Sequence, residues 1–347
     1  MNFNIRKKIP DGEEIIKTFP LSDTAREKII RDRQEINDII AGKDNRLLII
    51  VGPCSAWPSE AVLEYAKKLL ALSDIVKDKL KIVMRVYIQK PRTTKGWTGP
   101  VNQPDPYLPA DITQGIFYTR KMMVDVVEMG LPIADEALFT HNATAFQELL
   151  SWVAIGARST EDQEHRIFAS AVDCAVGMKN PTSGSVEIGV NSIVAAQHQH
   201  VAIFDGHEVE TMGNPYAHLV LRGGTGSPNY SANHLQEVFS HMQKHGVTNP
   251  AVVVDASHDN SLVEGRKDHR RQIAVVQEVM ENINKHSETK NLVKGFMLES
   301  FLKEGNQKVD LNNPKNLDRS GLSITDACLG WEQTEEFLFD LANKLHS

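Results

Sequence analysis

RLLIIVGPCSAWPSEAVLEYAKKLLAL, residues 46–72, holds one structural unit in miniature. Leu47–Val51 is a short apolar, β-branched run, the pattern of a buried strand. Gly52-Pro53 stops it, and Ser59–Leu72 carries helical periodicity. The same sequence of events recurs along the chain. Further runs lie at Ile82–Ile88, Leu131–Asp135, Trp152–Gly156, Ala175–Lys179, His218–Arg222, Ala251–Asp255 and Gly295–Glu299. Helical stretches between them include Gly115–Met129, Ala143–Leu150 and His269–Lys285. Strand alternating with helix implies a parallel sheet, and eight such units point to a (β/α)8 TIM barrel rather than an open sheet.

Two pieces fall outside a minimal barrel. Residues 1–46 form an N-terminal extension with a charged helical segment, Asp23–Ala41, capped by Ser22 or Asp23. Residues 200–213, HVAIFDGHEVETMG, read as an inserted β-hairpin turning at Asp205-Gly206. The catalytic domain is therefore expected over 47–347, with the hairpin inside it. Pro91–Pro109 is a long Pro/Gly-rich loop after the second strand, a length that is usually functional.

The composition narrows the function classes. The chain has 347 residues, 41% hydrophobic and 24% charged, with 38 Lys+Arg against 45 Asp+Glu and a formal charge of −7. That balance disfavours a non-specific grip on nucleic acid. No apolar run approaches the ~18 residues of a membrane span. The start, MNFNIRKKIPDGEEIIK, lacks an apolar core behind its basic residues and is not read as a secretory signal. Three Cys make no disulfide framework and suit a reducing compartment. A cytoplasmic protein without membrane or nucleic-acid partners is expected.

In such barrels chemistry sits where strands end. Each run here ends beside a charged or metal-competent residue. Cys54, His258, Glu299 and Asp326 are metal-ligand types. One sulfur, one imidazole and two carboxylates suit a borderline divalent ion, Mn, Fe, Co or Zn, better than Mg or Ca. Arg85, Lys90, Arg92, Arg158, Lys179 and Arg222 form a second, cationic set, which implies a small polyanionic substrate. The bland alternative is that Asp135 and Glu136 neutralise these cations structurally. His198, His200 and His207 read as solvated hairpin residues, and Lys267–Arg271 as a solvated helix face.

The strings GPCS (52–55), MRVYIQKPRTTKGW (84–97), WVAIGARSTEDQEHR (152–166), VGMKNPTSG (176–184), GNPYAHLVLRGG (213–224), DASHDNS (255–261), MLESFLKEGNQ (297–307) and SITDACLGWEQTE (323–335) resemble 3-deoxy-D-arabino-heptulosonate 7-phosphate (DAHP) synthase of the type I alpha branch. The resemblance spans roughly residues 22–340. It implies a (β/α)8 barrel and a metal-dependent condensation of phosphoenolpyruvate with erythrose 4-phosphate. It implies Cys54, His258, Glu299 and Asp326 as metal ligands. Arg85, Lys90 and Lys179 would face the phosphoenolpyruvate carboxylate and bridging oxygen. Arg158, Arg222, Lys179 and the Ala157 amide would hold its phosphate, with Glu136 nearby. Arg92 and Thr93 would hold the erythrose phosphate. A homodimer or homotetramer is expected.

Lys90 is the expected proton donor to the developing alkoxide, and a desolvated Lys among cations is expected to have a lowered pKa. The sequence departs from the family pattern at Ala56-Trp57-Pro58, usually Ile-His-Asp, and at Thr225, usually Lys. Alternatives that stay open are a sister enzyme using arabinose 5-phosphate, a Schiff-base aldolase through Lys179, and a non-catalytic paralogue. Feedback control by Phe or Tyr is expected to be lost or altered. The pocket positions that carry Pro, Gln and Ser in sensitive members match Ala143, Thr144 and Asp173 here.

Overall fold

A computed structural model of the chain describes residues 1–92, 96–138, 145–204, 206–285, 287–310, 312 and 316–345. In chain order the elements are α1 (Gly12–Thr18), α2 (Asp23–Ile40), β1 (Leu47–Gly52), α3 (Ser59–Val76), β2 (Leu80–Arg85), α4 (Ile112–Glu128), β3 (Ile133–Ala137) and β4 (Leu150–Ile155). There follow α5 (Gln163–Ala171), β5 (Ala175–Lys179), α6 (Val186–Gln197), β6 (Val201–Phe204), β7 (His207–Glu210), β8 (His218–Leu221), α7 (Ala232–Lys244) and β9 (Val252–Asp255). The chain closes with β10 (Leu262–Val263), β11 (Arg266–Lys267), α8 (Arg271–Lys285), α9 (Ser287–Lys290), β12 (Val293–Glu299) and α10 (Trp331–Lys344).

Eight parallel strands close into a barrel in the order β1-β12-β9-β8-β5-β4-β3-β2. The chain is thus a (β/α)8 TIM barrel. The β6–β7 hairpin stands apart as a two-stranded antiparallel sheet in which Phe204 pairs with His207. Gly206 in its turn has φ +74°, a conformation glycine adopts without strain, while Asp205 lies outside the described residues. Among the described residues no helix is long and apolar enough to cross a membrane.

Local chemistry sets the helix starts. Ser22 caps α2 by accepting from the Ala25 amide, and Asp111, Asp162, Ser185 and Ser231 cap α4, α5, α6 and α7 in the same way. Two sequence expectations are corrected. Ala143–Leu150 is not an α-helix: its described part is a single 3-10 turn at Gln147–Leu149, and Leu150 already opens β4. Ala143 and Thr144 lie outside the described residues. The run Ile82–Ile88 is offset from its strand, since β2 begins at Leu80 and ends at Arg85.

Alternate side chains along each strand point into the barrel. The interior cluster contains Leu48, Ile50, Val83, Ala134, Trp152, Ala154, Ala175, Val220, Val253 and Met297. Ile36, Ile39 and Ile40, from the last turns of α2, belong to the same cluster and plug the N-terminal end of the barrel. Burying each such side chain contributes about 1.5–3 kcal/mol. Trp152 fills the middle. Gly177 makes room for it, because a Cβ there would sit 2.2 Å from the indole. Beneath the strands, Lys81 meets Asp32 at 2.7 Å and Glu35 at 2.8 Å, tying β2 to α2.

Candidate active site

One step further along each strand the inward positions change character. Arg85 (β2), Glu136 (β3), Lys179 (β5), Arg222 just beyond β8, Asp255 (β9) and Glu299 (β12) stand where Val83, Ala134, Gly177, Val220, Val253 and Met297 stood two residues earlier. These side chains open onto a cavity of about 220 Å³ at the C-terminal mouth. Its lining includes Cys54, Arg85, Lys90, Arg92, Glu136, Ala157, Arg158, Lys179, Arg222, His258, Glu299 and Asp326. Apart from Thr93, which lies outside the described residues, every site residue expected from the sequence lines this one cavity.

Cys54, Glu299 and Asp326 bring a thiol sulfur and two carboxylates within 4.8 Å of one another. Cys54 and Glu299 are buried, whereas Asp326 is exposed. Burial pushes the Cys54 thiol up, and Glu299 and Asp326 push it further. Two carboxylates beside a thiol that would lose its proton on binding fit a bound cation, and the sulfur–carboxylate mix fits a borderline divalent ion. His258 lies outside this group of three but lines the same cavity. Its Nδ1 sits 2.9 Å from Asp255 Oδ2 and 2.8 Å from Ser257 Oγ, which leaves Nε2 as the nitrogen available to a cation. The His258 backbone has φ +53°, uncommon for a residue with a side chain and held here by the turn after β9.

The cations are pre-arranged by the acids. Arg85 is fully buried and donates to Glu299 Oε1 at 3.0 Å. Lys179 donates to Glu136 Oε2 at 2.7 Å, and Arg222 lies 3.4 Å from Asp259. Burial raises the Glu136 pKa, but Lys179, Lys90 and His258 outweigh it and hold the carboxyl below its usual range. Asp326 is likewise lowered against burial, by Lys90, His258, Lys267 and Arg92. Lys90 reaches the Cys54 carbonyl at 2.6 Å and its sulfur at 3.2 Å. Burial lowers the Lys90 pKa, yet Cys54, Glu299 and Glu136 more than offset it and the net direction is up. The expectation of a lowered Lys90 pKa is therefore corrected: its nearest neighbours are acids, not the other cations.

The bland pairing of Asp135 with the cations is half right. Glu136 pairs with Lys179, whereas Asp135 faces the other side of β3 and accepts from the Ile88 amide. Three contributors escaped sequence reasoning. Tyr87 is buried, with Arg85 4.1 Å and Lys90 and Lys179 each 5.7 Å from its ring centre, an aromatic floor under three cations. Asp255 orients His258. Lys267, read as part of a solvated helix face, lies on β11 and lines the mouth. The departure at Ala56-Trp57-Pro58 has a local role: Trp57 is buried, donates to the Pro104 carbonyl at 2.8 Å and meets Trp97 edge to face. It thereby ties the corner after Cys54 to the Pro91–Pro109 loop. His198 and His200 bond to the Val194 and Ala195 carbonyls, as structural histidines do.

Comparison with known proteins gives a concordant result. Residues 19–338 match the DAHP synthetase I family. The chain is 41% identical over 338 residues to a Tyr-sensitive phospho-2-dehydro-3-deoxyheptonate aldolase of Salmonella typhimurium, covering 96% of this chain and 92% of that protein. It is 41% identical over 335 residues to the Phe-sensitive protein of that name from Escherichia coli, covering 95% and 92%. A solved phospho-2-dehydro-3-deoxyheptonate aldolase from Francisella tularensis superposes with a TM-score of 0.91 at 38% identity, covering 99% of this chain and 98% of that one.

Proposed function

The chain belongs to the DAHP synthetase I family, and from that premise we propose that it condenses phosphoenolpyruvate with erythrose 4-phosphate to give DAHP and phosphate, the first step of the shikimate pathway. The observation that carries this reading is one mouth, about 220 Å³, in which seven Lys and Arg side chains surround a sulfur–carboxylate donor group. Arg158, Arg222 and Lys179, with the Ala157 amide, hold the phosphate of phosphoenolpyruvate. Arg85 and Lys90 face its carboxylate and bridging oxygen, and Glu136 keeps Lys179 in place. Arg92 and Thr93 hold the phosphate of the aldose. These cations bring together two anions that repel each other in water.

Cys54, Glu299, Asp326 and His258 would hold a divalent ion, Mn, Fe, Co or Zn. Such an ion supplies Lewis acidity toward a carbonyl oxygen. The residues align the enol C3 with the aldehyde carbon, where the new C–C bond forms. Water adds at C2, the C2–O bond breaks with its electron pair leaving on phosphate, and of the two water protons one goes to the departing phosphate and one restores the Lys90 ammonium. Lys90, an ammonium within reach of the donor group, delivers the proton to the former aldehyde oxygen. Lys179 is committed to an ion pair with Glu136, so it is a charged anchor rather than the free amine a Schiff-base aldolase needs.

The wider picture is of an N-terminal extension, 1–46, on a catalytic domain, 47–347, in a cytoplasmic homodimer or homotetramer. Exposed Phe3, Ile5, Val201, Ile203 and Met212, on the extension and beside the hairpin, support self-association. The test is phosphate release from phosphoenolpyruvate with a panel of aldose phosphates, after chelation and reconstitution with each ion. Erythrose 4-phosphate should be the preferred acceptor, and chelated protein should be inactive. Preference for arabinose 5-phosphate, or full turnover in chelator, overturns the assignment.

A further inference from the structure

The hydrogen bonding of β2 to β3 ends at an unusual place. Val86 donates to the Ala134 carbonyl at 2.8 Å, as a parallel ladder requires. Two residues on, the Ile88 amide leaves the ladder. It donates instead to the Asp135 side chain, Oδ1, at 3.2 Å. Asp135 is 6% exposed and points away from the mouth, on the opposite face of β3 from Glu136. It therefore touches no group that reads as substrate-binding.

What it touches is the root of the loop that carries two of them. Ile88 accepts from the Val101 amide at 3.3 Å, Lys90 donates its amide to the Thr98 carbonyl at 3.0 Å, and Arg92 Nε donates to the Trp97 carbonyl at 2.7 Å. The segments 88–92 and 97–101 thus form a stem. Gly99 allows the close approach, since a Cβ there would stand 2.3 Å from the Ile88 carbonyl oxygen. Beyond Val86 the root of the stem is tied on the β1 side by the Ala56 amide, which donates to the Tyr87 carbonyl at 3.0 Å, and on the β3 side by the Asp135 carboxylate, which takes the Ile88 amide. A cavity of about 40 Å³, lined by Ile88, Val101, Phe146, Leu150 and Phe168 among others, lies beside that bond, so on the β3 side the apolar packing around the buried Ile88 is incomplete and the hydrogen bond carries more of the attachment.

We propose that Asp135 is a positioning residue: by taking the Ile88 amide it sets the height of the 88–101 stem, and through it the placement of Arg92 over the aldose phosphate and of Lys90 between the two substrates. The inference rests on the functional reading above for what those two cations bind. It assigns Asp135 a larger control over the aldose phosphate, held by Arg92, and a smaller one over phosphoenolpyruvate, which Lys90 also faces but whose other anchors, Arg85, Arg158, Lys179 and Arg222, lie outside the stem.

The bond is also open to titration. Burial pushes the Asp135 carboxyl up to about 7; the Glu136 charge adds to this, while the Glu136 and Ile88 backbone and Lys90 act against it. Tyr87, just before the stem, also feels the Asp135 charge. The cavity lining from β4, the turn before it and α5, namely Phe146, Gln147, Leu150, Val153 and Phe168, carries no charge. A carboxylate is the stronger acceptor, so the stem is held best above neutrality and loosens as pH falls through about 7.

The experiment measures KM for each substrate and kcat across pH 6–8 in the wild type, Asp135→Asn and Asp135→Ala, using the metal-loaded enzyme. Amide hydrogen exchange at Ile88 is followed in the same proteins without substrate. The expected result is a KM for erythrose 4-phosphate raised about tenfold in Asp135→Asn and further in Asp135→Ala, with KM for phosphoenolpyruvate within twofold. The wild-type rise in that KM below pH 7 should vanish in Asp135→Asn, and Ile88 exchange should quicken. If Asp135→Ala does not fold, the near-isosteric Asp135→Asn decides alone. Equal changes in both KM values, or an unchanged pH profile and unchanged Ile88 exchange, overturn the inference. Wild-type enzyme inactive with erythrose 4-phosphate would overturn the functional reading instead, while the Ile88 exchange would still decide whether Asp135 holds the stem.

Discussion

The floor and the mouth of the barrel are built by the same strands two residues apart. At the floor, Ile36, Ile39 and Ile40 close over Leu48, Ile50 and Trp152, Trp152 and His218 share a neutral hydrogen bond, and the charges, Lys81 with Asp32 and Glu35, sit beneath this layer as paired ions. At the mouth, Arg85, Glu136, Lys179 and Glu299 are nearly as deeply buried yet all charged. Burying charge costs stability unless each is paired, and replacing such pairs with apolar side chains is often neutral or stabilising. The difference teaches that the alternation of one sheet can be divided lengthwise: the lower inward layers hold the fold, and the uppermost holds charges whose value is chemical.

The sharpest way to break this division is to substitute the mouth. Cys54→Ala and His258→Ala should abolish turnover, as should chelation, while thermal unfolding of the apo protein shifts by no more than a few degrees. An apo variant that fails to fold would show the donor group to be structural. The floor should behave in the opposite sense. Trp152→Ala empties the centre of the barrel and should cost about 3–5 kcal/mol in chemical denaturation. Its residual kcat, measured well below the new midpoint, should stay within a fewfold of wild type. A thousandfold loss of kcat in folded Trp152→Ala would mean the layers are not separable.

A subtler test uses pH. His218 is buried with its Nε2 accepting from Trp152 Nε1 at 3.2 Å and its Nδ1 bonded to the Tyr216 carbonyl at 2.8 Å, which is the neutral ring. Burial pulls its pKa down to about 4. The unfolded chain protonates the same ring near pH 6.5, so between those values the unfolded state binds more protons and stability falls with falling pH. The loss attributable to His218 between pH 7 and pH 5 is about 2 kcal/mol. Wild type should lose that much more stability than His218→Gln over the interval. Parallel curves would show that the floor holds no such proton switch.

Much of this was legible in the chain. Eight short apolar runs, each ending in a reactive residue, are what a barrel with chemistry at its mouth looks like in one dimension. The misreadings have separate physical causes. Ile82–Ile88 overran its strand because the apolar pattern continues after the ladder has passed from the Ala134 carbonyl to the Asp135 side chain. Tyr87 was hidden inside that run as an ordinary core aromatic. Asp135 was grouped with Glu136 by adjacency, although alternation already puts neighbours on opposite faces. Lys267 sat in a charged stretch whose helix begins only at Arg271. The plug made by α2 could not be read at all, since nothing in its amphipathic pattern says which end of the barrel it covers.

The smallest effect is expected outside both layers. A cavity of about 390 Å³ lies between α2 and the barrel wall, lined by Leu21, Arg26, Arg33, Glu148, Phe168, Asp173 and others. Asp173, the position matched to a Ser of feedback-sensitive relatives, does line it. Its side chain is 89% exposed and 4.0 Å from Arg33, which itself donates to the Leu150 and Gln147 carbonyls at 2.8 and 2.9 Å. A charge so exposed and so close to a fixed guanidinium is largely screened, so its repulsion of an amino acid's carboxylate is weak. The expected loss or change of feedback control therefore cannot rest on Asp173, and its weight passes to the Ala143 and Thr144 positions. Initial rates with Phe, Tyr or Trp at millimolar concentration should show weak inhibition, and Asp173→Ser should move any inhibition constant by less than about threefold. A tenfold gain of sensitivity in Asp173→Ser would show that this one carboxylate, despite its exposure, closes the cavity to an effector.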